Sequence, residues 1–203
     1  MKTIKNYIGG IFIEQSIYDK FREAFLSKIK QLKVGDPLDS VTDIGAIISE
    51  GHYKKILSYF ELSQSEGGKI LTGGNTVRPE GRCKNGWFLE PTVIENLTFD
   101  CRTNRDEIFG PVVSLIPFAN EEQVLKMVNN TDYVHASIIW TSNLSRAHRL
   151  AAELRSGIVR VNTWLLHELR TPFSGMNNSV IGREGGWEAL RFFTEPKNVC
   201  IKP

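Results

Sequence analysis

The sequence predicts an α/β fold: a mostly parallel sheet with covering helices, followed by a C-terminal oligomerisation strand. Three observations carry this expectation. Short β-branched runs alternate with stretches of helical period between residues 11 and 163. Gly, Pro or Asn stands at most of the switches between them. The chain has 203 residues, of which 41% are hydrophobic and 24% charged. That is enough to bury one core and is ordinary for a globular domain.

Ile11-Phe12-Ile13 is suited to a buried strand. Ser16 then offers an N-cap, and Ile17, Phe21, Ala24, Phe25, Ile29 and Leu32 recur at helical spacing until Val34-Gly35-Asp36-Pro37 stops the run. Ser49 opens a second helix with Tyr53, Ile56, Leu57 and Phe60 on its apolar face, ended by Gly67-Gly68. Residues 69–72 read as a strand. The polar stretch 75–86, with Pro79 and Gly81, reads as a surface loop. Phe88-Leu89, Thr92-Val93-Ile94 and residues 112–118 read as strands. Asn120 with Gln123 resembles a capping box, and Val124, Leu125 and Val128 follow as an inward stripe. Residues 137–141 and 158–161 form strands around a helix carrying Leu144, Ala147, Leu150, Ala151 and Leu154, with Gly157 as its terminator. Residues 171–186 form a long Gly-, Asn- and Ser-rich loop, of the kind that usually carries function. Residues 188–193 are one short helical stretch. Asn198–Lys202 is a terminal strand with no partner of its own, an edge suited to pairing with another chain.

Several chemistries find no support. A net charge of +2 with scattered Lys and Arg argues for no nucleic acid partner. No run approaches the ~18 apolar residues needed to span a bilayer, and no apolar segment follows the first residues, so no membrane association is expected. Three irregularly spaced cysteines, Cys83, Cys101 and Cys200, read as free thiols of a cytoplasmic protein. The four histidines lie far apart and form no ligand pair, so no metal is expected. Neither Gly-x-Gly-x-x-Gly nor a phosphate-cradling loop is present. Glu121-Glu122 reads as a helix first turn complementing the dipole.

Four stretches, in order, carry a family resemblance. They are Lys33-Val34-Gly35-Asp36-Pro37-Leu38, Gly86-Trp87-Phe88-Leu89-Glu90-Pro91-Thr92-Val93, Glu107-Ile108-Phe109-Gly110-Pro111-Val112, and Pro172-Phe173-Ser174-Gly175-Met176 with Ile181-Gly182-Arg183-Glu184-Gly185. Together they resemble the C-terminal, catalytic-domain portion of the aldehyde dehydrogenase superfamily. The run from Asn162 to Phe173, with Trp164 and Arg170-Thr171-Pro172-Phe173, resembles the 2-aminomuconic and 2-hydroxymuconic semialdehyde dehydrogenase branch.

The resemblance implies covalent chemistry. A cysteine thiolate attacks the aldehyde substrate, a hydride passes to NAD, and a glutamate activates the water that releases the carboxylate. It places the nucleophile about ten residues before the strand at Ile11, where Met1 to Gly10 holds no cysteine. The expectation is therefore that this chain contains no catalytic residue of the family and lacks its base and dinucleotide-binding domain. Two cofactor contacts are implied: Glu107 toward the nicotinamide ribose and Phe109 beside the nicotinamide ring. Trp164, His167, Arg170 and Phe173 are implied to line the substrate site. The bland alternatives are a solvated acid at Glu107, core aromatics at Trp164 and Phe173, and an exposed loop cation at Arg170. His167 stands where the branch has an arginine, and it cannot offer the same bidentate fork. Ser174, Asn177 and Val180 also depart from the family pattern, Val180 at a glycine position.

Ile4 to Gly10 resembles the opening of full-length members, and an internal deletion is the simplest account of its junction with residue 11. The expected organisation is a remnant-like segment at 1–10, a catalytic-domain-like body at 11–190 and an association tail at 191–203. Two readings of function stand side by side: a truncated aldehyde dehydrogenase, inactive as an isolated chain, or a non-catalytic subunit. The second would form a homo- or hetero-oligomer through its C-terminal strand.

Overall fold

A computed structural model describes residues 10–202. The chain divides into two compact units, Met1–Met127 and Val128–Pro203.

In the first unit, β1 (Ile11–Glu14) leads through a 3-10 turn into α1 (Tyr18–Ile29). Helix α2 (Glu50–Ser65) is followed by β2 (Lys69–Thr72), β3 (Thr76–Val77), β4 (Phe88–Leu89), β5 (Thr92–Glu95), the single turn α3 (Arg102–Arg105) and β6 (Val112–Phe118). The main sheet has the order β1-β6-β5-β2. Strands β1 and β5 flank β6 in parallel, while β2 runs antiparallel to β5. Side-chain alternation along β5 feeds two separate cores. Ile94 packs with Ile56, Tyr59 and Phe60 of α2, together with Leu89, Leu97, Ile108 and Val112. Val93 packs with Ile13, Tyr18, Ile29 and Leu115 beneath α1. The two helices thus cover opposite faces of one small sheet.

Several sequence expectations hold here and others need correction. Ser49 caps α2, its Oγ accepting from the His52 N–H at 3.3 Å. Ser16 does not cap α1. Its hydroxyl donates to the Glu14 carboxylate, and Ile17 occupies the cap position without a side-chain bond. The stretch 75–86 is not all loop: Thr76 and Val77 pair antiparallel with Leu89 and Phe88. The start of α3 is capped from a distance. Glu66, at the end of α2, accepts from the Arg102 N–H (2.9 Å), the Thr103 N–H (3.1 Å) and the Thr103 hydroxyl (2.6 Å). Burial pushes the Glu66 pKa up, but the bonds from Thr103 and Arg102, with Cys101, together outweigh it and hold the carboxyl below its ordinary value.

Helix α4 (Glu121–Asn129) spans the division between units. The Gln123 N–H donates to Asn120 Oδ1 at 2.9 Å, and Gln123 Oε1 accepts from the Ala119 N–H at 2.7 Å. The reciprocal bond thus reaches one residue beyond the expected box.

The second unit contains β7 (Tyr133–Val134), β8 (Ala136–Ile139), α5 (Leu144–Glu153), β9 (Ile158–Val161), β10 (Met176–Asn177) and α6 (Gly186–Phe193). Strands β8 and β9 are parallel and joined through α5, a short βαβ unit. Asn143 caps α5 through the Arg146 N–H at 3.0 Å. Gly157 does not end α5, whose cap is Leu154. It is a glycine because a Cβ there would collide with the Ser174 carbonyl. The long loop at 171–186 is stitched both to β7 and to itself. Met176 and Asn177 pair with Val134 and Tyr133, and Phe173 bridges to Glu184.

The expectation of a mostly parallel sheet is therefore corrected to mixed sheets. Three pairings are parallel (β1–β6, β5–β6, β8–β9) and three antiparallel (β2–β5, β3–β4, β7–β10). Residues 69–95 carry only one 3-10 turn (Gly81–Cys83) and no α-helix between their strands, and connections without a crossover helix return a chain antiparallel. The tail at 194–202 forms no ladder among the described residues. No helix among the described residues is long and apolar enough to cross a membrane.

Candidate functional site

The Glu107-Ile108-Phe109-Gly110-Pro111 turn joins α3 to β6 and is held from beneath by α2. The Lys55 ammonium donates to the Glu107 carbonyl at 2.6 Å. His52 Nε2 lies 2.7 Å from the Phe109 carbonyl, a contact that requires the nitrogen to donate. The same imidazole meets the Phe109 ring edge-on, with centroids 6.0 Å apart. Ile108 is buried in the α2 core, pinning the middle of the turn. Asp106, just before it, accepts from the Tyr59 hydroxyl at 2.8 Å and from the Arg102 guanidinium at 3.0 Å.

These supports hold Phe109 in an unusual state. Its φ is +58°, a left-handed conformation that costs a non-glycine residue on the order of 1 kcal/mol. The residue is 57% exposed. Glu107 is half-buried, and its carboxylate makes no hydrogen bond or ion pair among the described residues. Gly110 follows, where a Cβ would lie 2.7 Å from Cδ1 of the fully buried Ile56. Sequence reasoning found Glu107 and Phe109 but missed His52 and Lys55. Their spacing of three places them on one face of α2, yet only the fold shows what that face touches.

In the second unit, the loop after β9 carries the other expected residues. His167 stacks on Phe173 with centroids 4.4 Å apart, and His135 meets the same ring edge-on at 5.4 Å. The structure thus brings His167 and Phe173 together and adds His135, which sequence reasoning passed over. Phe173 is half-buried, and Trp164 is 38% exposed, so neither is a fully buried core aromatic. Arg170 is not an open cation. Its guanidinium forks onto Glu168 through two bonds of 2.8 Å. Those bonds hold the Glu168 carboxyl below its ordinary range and raise the Arg170 guanidinium. Ser174 is buried and donates to the Gly182 carbonyl at 2.7 Å, closing the loop from within. Val180 sits at ordinary φ, so its replacement of a glycine imposes no backbone strain here.

The cysteines are free; Cys83 and Cys101 are half-buried and Cys200 is exposed. Burial pushes the Cys101 thiol up, which keeps it protonated and poorly nucleophilic. Among the described residues no cluster of three His, Cys, Asp or Glu side chains could hold a metal.

The Glu107–Pro111 turn thus stands at the entry to β6, an inner strand of the four-stranded sheet. The comparisons go further. The chain belongs to the aldehyde dehydrogenase family, whose model matches residues 8–199. It is 47% identical over 192 residues to 2-aminomuconic 6-semialdehyde dehydrogenase from Pseudomonas sp., covering 95% of this chain and 39% of that protein. To human 2-aminomuconic semialdehyde dehydrogenase it is 41% identical over 194 residues, covering 95% of this chain and 40% of the relative. Among solved structures, indole-3-acetaldehyde dehydrogenase of P. syringae in complex with NAD+ and IAA superposes with a TM-score of 0.88 at 33% identity. That match covers 95% of this chain and 38% of the other. The chain thus spans about two fifths of the length of the curated relatives it matches.

Proposed function

We propose that this chain is the catalytic-domain portion of an NAD-dependent aldehyde dehydrogenase acting on a muconic semialdehyde, and that these 203 residues alone do not turn over. The carrying observation is 47% identity across 95% of the chain to the Pseudomonas 2-aminomuconic 6-semialdehyde dehydrogenase. The Glu107–Phe109 turn fits NAD as a ligand. A carboxylate without a protein partner can accept from a ribose diol, and an outward ring limits where a nicotinamide can sit. NAD, when bound, supplies the hydride acceptor. His52 and Lys55 hold the main chain that aims both groups. Trp164, His167 and Phe173 would face the aldehyde from the second loop. Arg170, already paired with Glu168, would orient that loop and leave the substrate to its neighbours. The organisation proposed is a lead segment at 1–10, the catalytic-domain body at 11–190 and an association tail at 191–203.

In the family's reaction a thiolate and a carboxylate base do the covalent work. The Gly-Gln-x-Cys signature of that thiolate does not occur in these residues. Purified chain incubated with NAD and a semialdehyde is expected to give no NADH, and calorimetry is expected to show no micromolar NAD binding. NADH formation abolished by replacing Cys83, Cys101 or Cys200 would overturn the reading.

A second reading, a binding subunit that joins a full-length relative, is favoured by one observation. Val199 and Ile201 of the tail are 65% and 84% exposed. Apolar side chains on an unpaired segment suit addition to another sheet edge.

A further inference from the structure

A small polar cavity lies under the Glu-Ile-Phe-Gly-Pro turn. It measures about 10 Å³ and is walled by Gly10, α3 and its following Asp106, Ile108, and the first three residues of β6. The size suits about one water molecule. Asn104, on α3, is 2% exposed and lines it. Its Nδ2 donates to the Thr98 carbonyl at 2.9 Å. That bond fixes the amide's orientation, because a flipped amide would set oxygen against oxygen. The other end, Oδ1, is buried and has no partner among the described residues. Ser114 of β6 is also buried and lines the same cavity, and its hydroxyl makes no side-chain bond among the described residues. The other polar side chains around it are engaged: the Thr103 hydroxyl with Glu66, and Asp106 with Tyr59 and Arg102.

We infer that this cavity binds one ordered water, which donates to Asn104 Oδ1 and bonds the Ser114 hydroxyl. Among the described residues Asn104 Oδ1 meets no donor and the Ser114 hydroxyl makes no side-chain bond, and a single water satisfies both. The bridge joins the two flanks of the turn, α3 before it and β6 after it. Together with His52 and Lys55 it braces the main chain that presents Glu107 and Phe109. The water is thus a structural ligand of the turn, and its presence does not depend on the function proposed above.

The test uses the 203-residue chain. A crystal structure resolving solvent is expected to show one water within hydrogen-bonding distance of both Asn104 Oδ1 and Ser114 Oγ. Rotating-frame water exchange spectroscopy is expected to show a long-lived water in contact with the Asn104 amide protons. In Ser114→Val, whose added methyls fill the space, that signal is expected to disappear. Should the variant fail to fold, the two wild-type measurements decide alone. An empty cavity, a protein atom in the water's place, or a signal unchanged in Ser114→Val would overturn the inference.

Discussion

Gly110→Ala tests why a glycine stands in the turn. Gly110 does not occupy the left-handed region, so backbone freedom does not explain it. The explanation is a neighbour. A Cβ at Gly110 would lie 2.7 Å from Cδ1, 2.9 Å from Cγ1 and 3.4 Å from Cγ2 of Ile56. Ile56 is fully buried among Tyr59, Phe60, Leu89, Ile94 and Val112, so it cannot swing aside without disturbing that core. Overpacking of this kind costs about 1–3 kcal/mol. Ile56→Ala alone removes three buried carbons and costs about 2–5 kcal/mol. The double substitution places the new methyl in the space that Ile56 vacates. Its cost is expected to fall below the sum of the singles by about 0.5–3 kcal/mol, the range for residues in contact. Urea denaturation of the four proteins, followed by circular dichroism with a check that the slope m is constant, measures this coupling. If Ile56→Ala leaves too little folded protein, Ile56→Val removes only Cδ1 and tests the nearest contact. A neutral Gly110→Ala, or a strictly additive cycle, would refute the packing account of the glycine.

Two further outcomes follow from particular contacts. The hydrogen bonds from Arg82, helped by the Leu38 N–H, lower the Asp36 pKa to about 2 from an ordinary 3.8. A depressed folded-state pKa stabilises above the unfolded value and loses that contribution as pH falls through the folded one. Thermal melts of wild type should therefore drop between about pH 4 and pH 2 more than those of Asp36→Asn, and parallel acid profiles would contradict this. Removing residues 196–203 should reduce the apparent mass by light scattering if the tail joins chains. Equal monomeric mass for both lengths would count against an association tail.

Elements that rest on local signals were readable in the sequence. Ser49 with the Tyr53, Ile56, Leu57 and Phe60 stripe defines α2, and the residues that begin β1, β5, β6 and β9 are all β-branched. Local pattern carries such elements because cap chemistry and face alternation act within one turn or one strand. The β3–β4 pairing was not readable. Two residues inside a polar stretch have no period, and Thr76–Val77 becomes a strand only because Phe88–Leu89 arrives beside it. Strand direction failed for the same reason, since it depends on which edges the connections bring together.

By itself, the sequence determined the family and its ordered motifs, and it singled out Glu107 and Phe109, because these depend on residue identity along the chain. The tertiary structure alone decided what those residues do to one another. It set His52 and Lys55 beneath the turn, closed Arg170 onto Glu168, stacked His167 on Phe173 and turned Gly110 into a packing requirement against Ile56. Each of these contacts except the Arg170 fork and the His167 stack joins positions about fifty residues apart, and even those two depend on how their loop folds back. A hydrogen bond or a collision depends on distances of a few ångströms in space, which spacing along the chain does not encode.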